Sequence, residues 1–340
     1  AGMDEPLVVQ CPNGATCCPE VGIVQGCTLE ERLTDTTYVD ANLFVWENLV
    51  FVAMTFVFIW AARWSFQWKL WLALKNTDEA SFELGSGFAK ELTENDNKAL
   101  SVTFAAYMFA VGLVLWSALT GLSADEGENI GLMALWFCVG MLLLEVARLV
   151  NDKLLLRSIN NNVELVAHKN LGVAAAEAGS YIATGLTVSA AISGIPGDLG
   201  EDFLVTIMWF ALGQLAFVAF GAFLNTRAFS AFDFVDEIRR GNAAAGVLFG
   251  LNLIAIGNMI ANSVSKSDSL LTFVVWYFLG GAVLLLCRWI VDKVILPTQT
   301  MNHEIQNDQN WGAAVLLGGV PVALSFVLNT FLPDTCQNPT

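Results

Sequence analysis

Charge is scarce in this chain. Only 14% of its 340 residues are Asp, Glu, Lys or Arg, where soluble domains carry about 25%, and the deficit excludes an ordinary water-solvated fold. Histidine is nearly missing: the two residues are His168 and His303, too few for a histidine-built metal centre. No phosphate-binding glycine loop, nucleophile elbow or Cys-x-x-Cys pair occurs, so neither an enzyme nor a cofactor is expected. Asn-x-Ser/Thr with a non-proline middle residue is also absent, which argues against N-glycosylation. Alternating ten-residue strands are lacking, and this excludes a membrane barrel.

Apolar runs, by contrast, are abundant. The chain is 55% hydrophobic with a mean hydropathy of +0.58. Crossing a hydrocarbon core takes about 20 helical residues. Eight runs qualify: 43–61, 100–122, 130–150, 171–192, 203–224, 243–264, 270–291 and 311–332. The expected fold is therefore an all-α polytopic membrane protein with eight transmembrane helices, and membrane lipids are its expected surroundings.

Nearly all Lys and Arg fall in or beside the segments joining runs 1–2, 3–4, 5–6 and 7–8, for example Lys69, Arg148, Arg239, Arg240 and Arg288. The positive-inside rule makes those segments cytoplasmic. Both termini are then non-cytoplasmic, in a secretory-pathway or cell-surface membrane. The net charge of −16 is concentrated on the outer side, where it either keeps an exposed surface soluble or attracts cations. No nucleic-acid partner is expected. Cys11, Cys17, Cys18, Cys27 and Cys336 lie in the outer tails, where disulfides persist. Their odd number leaves a thiol for an intermolecular link. Cys138 and Cys287 fall inside runs and are expected to be small buried hydrophobes. An outer N-terminus beginning at Ala1 suggests a removed signal peptide.

The organising feature is a repeat. Aligned on Asn97, Asn170, Asn242 and Asn310, four frames follow one another at 73, 72 and 68 residues. Six positions earlier stand Glu91, Glu164, Asp236 and Glu304. Small residues recur four and eight positions later: Ser101 and Ala105, Ala174 and Ala178, Gly246 and Gly250, Ala314 and Gly318. A fixed period with one chemistry at fixed offsets marks a repeated unit. Each asparagine is placed to cap the helix after it. The small-xxx-small stripe lets those helices approach closely in lipid. Runs 3 and 7 share the ending Arg-x-x-x-Asp-Lys (Arg148 to Lys153, Arg288 to Lys293), which runs 1 and 5 lack. The larger unit is thus four helices, present twice in the same orientation. The expected division is an outer segment 1–42, membrane modules 43–196 and 197–333, and an outer tail 334–340.

These residues resemble the bacterial inner-membrane family known as domain of unknown function 350, a four-helix module with an acid six positions ahead of an Asn-x-small sequence. Asp236 to Gly246 matches best, then Glu304 to Ala314 and Glu164 to Ala174; Lys98 and Leu100 set the first frame apart. The resemblance covers about residues 80–335 and implies the architecture without an activity.

Polar residues inside the runs are costly there and are functional candidates. Glu145 and Glu177 fall at similar depth on adjacent antiparallel helices, where they could share a proton or bind a cation. Alternatively, Glu145 pairs with Arg148 one turn away. Gln214 and Asn252, near midplane, suit interhelical hydrogen bonds. Two functions follow: a structural protein that self-associates through its small-residue helix faces into a homo-oligomer or larger assembly, or a cation or proton channel or carrier using Glu145 and Glu177.

Overall fold

The computed structural model describes residues 46–77, 82–120, 126–157, 159–193, 199–226, 229–266, 269–295, 300 and 302–331. The chain divides into two compact units, Ala1–Phe56 and Val57–Thr340. Among described residues all regular structure is helical. The helices are α1 (Trp46–Leu74), α2 (Ser86–Thr93), α3 (Lys98–Thr120), α4 (Glu126–Leu154), α5 (Asn161–Val166), α6 (Leu171–Ile192), α7 (Leu199–Leu224), α8 (Phe234–Arg239), α9 (Ala243–Lys266), α10 (Leu270–Ile290) and α11 (Trp311–Leu328). The end of α10 passes into a π-helical turn, Val291–Ile295, and a second such turn, His303–Asn307, precedes α11.

Among described residues 7 helices are long and apolar enough to cross a membrane: α1, α3, α4, α7, α9, α10 and α11. This corrects the expected eight. The missing run, 171–192, does form a 22-residue helix, α6, but Glu177, Ser180, Thr184, Thr187 and Ser189 reduce its apolar content. The physical reason is its position. Helix α6 lies between α3 and α9 with most of its residues buried, so side chains such as Ser180 and Thr184 find partners within the protein.

The most extensive packing runs along a row, α3–α6–α9–α11. Helix α4 packs on α3 and α6, α7 on α6, α9 and α4, and α10 on α9 and α11. Small residues set the spacing within the row. A Cβ on Gly179 would overlap the backbone of Gly250, and one on Gly246 would overlap the Gly172 carbonyl. A Cβ on Gly185 would come within 2.8 Å of the Ala110 backbone. Only glycine permits this approach, which gives lipid-embedded helices their van der Waals contact. Cys287 is buried as expected, whereas Cys138 faces outward from α4. The expected tail disulfides (Cys11, Cys17, Cys18, Cys27, Cys336) lie outside the described residues.

Candidate functional site

Two polar systems stand out, and the repeat builds the first. In every frame a short helix or π turn reverses direction through one left-handed residue: Asp96 (φ 50), Lys169 (φ 52), Gly241 (φ 86) and Gln309 (φ 49). The asparagine follows, and its Oδ1 accepts from the first turn of the next long helix. The donors are Leu100 N (3.0 Å), Gly172 N and Val173 N (2.9 and 3.1 Å), Ala245 N (3.1 Å) and Ala313 N (3.1 Å). These are the expected caps, and each satisfies otherwise orphaned amides.

The acid closes the turn from the other side. Each asparagine Nδ2 donates to a carboxylate: Asn97 to Glu91 (3.0 Å), Asn170 to Glu164 (2.9 Å), Asn242 to Glu237 (3.2 Å), Asn310 to Glu304 (2.8 Å). The third acid is Glu237, not the expected Asp236. Gly241 shortens that frame by one residue, and Asp236 turns outward to Arg239 at 3.8 Å. An amide nitrogen carries two N–H groups, and the second one reaches the next frame. Asn97 donates to the Leu165 carbonyl (2.9 Å), Asn170 to Ile238 (3.0 Å) and Asn242 to Ile305 (2.8 Å). In each case the acceptor follows the next frame's acid. The caps thus form a ladder, frame to frame, at one end of the helix row.

The second system lies beneath that ladder, where α4 and α6 meet. Glu177 is 3% exposed, and neither of its carboxylate oxygens meets hydrogen-bond geometry with protein. Arg148 Nε and the Tyr181 hydroxyl, both buried, are likewise without a hydrogen-bond partner. These three residues line a cavity with Asn151, Asp152, Ser180 and Thr184, closed from α9 by Phe249 and Leu253. The space open to a water's centre is ≈ 10 Å³, room for about one water. Arg148 Nε lies 3.6 Å from Asp152 and its Nη2 donates to Asn162 at 3.1 Å. Asn161 donates to Asp152 at 3.0 Å and lies within reach of Glu177.

The expected pairs are rearranged. Glu145 is ion-paired to Lys69 of α1, not to Arg148, and accepts from the Tyr107 hydroxyl at 3.3 Å. Lys69 in turn sits 4.6 Å from the Tyr107 ring centre. Glu177 and Glu145 are not hydrogen-bonded to each other; the carboxylate acting most strongly on Glu177 is Asp152. Gln214 does bond between helices, donating to Asn151 Oδ1 at 2.5 Å. Asn151 passes the connection to Ser180 (3.0 Å) and Thr184 (3.1 Å). Asn252, by contrast, donates to Leu248 on its own helix at 2.7 Å, so it caps a local carbonyl and bridges nothing.

Lys69, Asn151, Asp152, Asn161 and Tyr181 were missed by reasoning on single runs, yet one signal was present. Aligned on the clamp acid, the residue three positions earlier is Phe88, Asn161, Phe234 or Met301, and the residue seven after the cap is Phe104, Glu177, Phe249 or Leu317. In the first and third frames these positions form aromatic pairs, Phe88–Phe104 at 4.6 Å and Phe234–Phe249 at 5.7 Å between ring centres. Only the second frame places two polar residues there.

Known proteins support the architecture. The chain is 29% identical over 132 residues to the UPF0719 transmembrane protein YshE of Bacillus subtilis, covering 38% of this chain and 96% of that one. It is 23% identical over 200 residues to a UPF0719 transmembrane protein of Aquifex aeolicus, covering 56% of this chain and 70% of that one. No solved structure matches it. Domain of Unknown Function (DUF350) matches twice, at residues 84–192 and 198–332, the two stretches that carry two asparagine frames each, and the chain belongs to that family as an integral, multi-pass membrane protein with two copies of the domain.

Proposed function

We propose that this protein is a structural membrane component that assembles side by side with copies of itself, adding subunits at the two ends of its helix row. The observation that carries this is the unfinished ladder. Three joints between frames use one hydrogen bond each from Asn97, Asn170 and Asn242. At one end Asn310 is exposed and donates only to Glu304 among the described residues. At the other end Leu92, which follows the clamp acid Glu91, offers the corresponding carbonyl.

Packing at the two ends supports the same reading. Helix α6 meets α9 through Gly172, Ala175 and Gly179, and Ala183 meets Gly257. The same offsets on α11 are Gly312, Val315, Gly319 and Ala323; Gly312, Val315 and Ala323 are exposed, and a Cβ on Gly319 would meet nothing within 4 Å. Helix α9 receives α6 on Gly246, Gly250 and Gly257. The same offsets on α3 are Ser101, Ala105 and Gly112, all exposed. Each end therefore carries the small-residue face that the internal joints use. Four hairpin repeats, modules at 43–196 and 197–333 and a cytoplasmic ladder complete this proposal; no catalytic role is part of it.

Pairing Ala105→Cys with Gly319→Cys tests the assembly. In native membranes the double variant is expected to crosslink into a series of multimers, while either single variant does not. A double variant that stays monomeric under oxidation removes the reading.

A second reading is movement of protons or cations past Glu145 and Glu177, favoured by the charges gathered inside the helix bundle. Reconstituted vesicles test it: Glu177→Gln is expected to abolish an ion flux seen with the unaltered chain, and a flux indifferent to it excludes these residues.

A further inference from the structure

The charged residues around the α4–α6 cavity do not balance. Lys69 of α1 and Arg148 of α4 face Glu145 and Asp152 of α4 and Glu177 of α6. Two cations against three carboxylates leave one excess negative charge when all are ionised. Among described residues Tyr107 of α3 and Tyr181 of α6 are the other titratable groups beside them, and α9 contributes Phe249 and Leu253 to the cavity. An uncompensated charge inside a membrane is costly. The set is completed by one positive charge no larger than a water.

A proton fits better than a metal cation. Arg148 lines the cavity, so a metal ion would face a guanidinium at close range. Among described residues no three His, Cys, Asp or Glu side chains converge as metal ligands. The two Glu177 oxygens supply acceptor sites and no donor, and neither meets hydrogen-bond geometry with a donor among the described residues. Adding a hydron turns one of them into an O–H donor, able to bond the Tyr181 oxygen or a cavity water, and leaves the other for Arg148 or that water.

We propose that the cavity between α4 and α6 is a binding site for one proton, held on Glu177 and oriented by Arg148, Asn161 and Tyr181. Hydronium reaching the cavity gives up one O–H bond as the carboxyl O–H forms, and water is released; no oxidant or reductant takes part. Asn161 and Glu177 stand where the first and third frames carry an aromatic couple and the fourth carries Met301 and Leu317, and the pairing of two polar residues there makes the site. A lone polar substitution would leave a clash or a void, whereas Asn161 holds Asp152 in place beside the carboxyl.

This site overlaps the second reading above only in its residues, because binding is measurable without transport. Infrared difference spectra of the full chain in nanodiscs, between acid and alkaline buffer, read the carbonyl stretch of a buried protonated carboxyl. One such band is expected. It should vanish in Glu177→Gln, persist with a shifted frequency in Glu177→Asp, and be unchanged in the surface control Asp236→Asn. Exchanging sodium for choline should leave it unaltered. A band that survives Glu177→Gln in folded protein overturns the proposal. So does a band suppressed by sodium in proportion to its concentration, which would make the site a metal-cation site. A band with these properties in protein that shows no vesicle flux supports the proton site and removes the transport reading alone.

Discussion

The two copies of the domain differ most at one depth. Where the first carries Glu145, Asn151, Asn161 and Glu177, the second carries Leu285, Val291, Met301 and Leu317 in register. Arg148 and Arg288, and Asp152 and Asp292, are present in both. The shared arginine has nonetheless been given two settings. Arg148 is buried among three carboxylates and a Tyr181 ring 5.9 Å away, while half-buried Arg288 lies 3.5 Å over the Phe229 ring. The lesson is that the frame itself needs only caps, glycines and one basic residue. The polar cluster is present in one copy only, and the other copy carries apolar residues at the same positions.

The sharpest way to break this distinction is to remove each arginine. Arg148→Leu leaves three carboxylates without their central cation and is expected to cost about 3–5 kcal/mol. Arg288→Leu gives up a cation–π contact and is expected to cost about 1 kcal/mol. Unfolding by denaturant in mild detergent measures both, and equal losses would erase the difference between the copies.

Next in size is the joint between the copies compared with the edge of the row. Gly246→Ala drives a methyl into the backbone carbonyl of Gly172, which cannot rotate away, so about 3 kcal/mol should be lost. Gly319→Ala meets open space and should leave the stability of the single chain unchanged in the same assay. A tolerated Gly246→Ala would mean the joint is looser than its helix spacing requires.

The smallest contrast is between the caps. Asn242→Ala takes the donor from Glu237 Oε2, whose other oxygen keeps Arg240 and Gln306, orphans the buried Ile305 carbonyl and should cost about 2–3 kcal/mol. Asn310→Ala touches an exposed cap and should cost about 0.5–1 kcal/mol. Comparable losses at the two sites would show that the frame-to-frame bond contributes little.

Local chemistry made part of this legible before any coordinates. Asn before an apolar run, small residues at offsets four and eight, and long hydrophobic runs are short-range signals. They locate all four caps and the seven helices that are long and apolar enough to cross a membrane. The ladder was hidden because its second bond reaches residues 63 to 68 positions away. The Lys69–Glu145 pair spans 76 positions, and Arg148 one turn from Glu145 offered a nearer partner on paper. A constant offset points to Asp236, because it leaves out the one-residue saving that Gly241 permits in the turn and that brings Glu237 to Asn242. The length of helix α6 suits a crossing, but its polar side chains reflect packing against α3 and α9 that a hydropathy window does not contain.

Asn161 and Glu177 jointly occupy the positions that hold two packed aromatic rings in the first and third frames. A double-mutant cycle on thermal unfolding of Asn161→Phe, Glu177→Phe and the double variant tests this pairing most directly. Each single change places a ring against a polar partner and should destabilise the protein. The double variant recreates the pair seen at Phe88–Phe104 and Phe234–Phe249 and should recover stability, with a favourable coupling of about 0.5–3 kcal/mol. Losses that simply add would contradict the account.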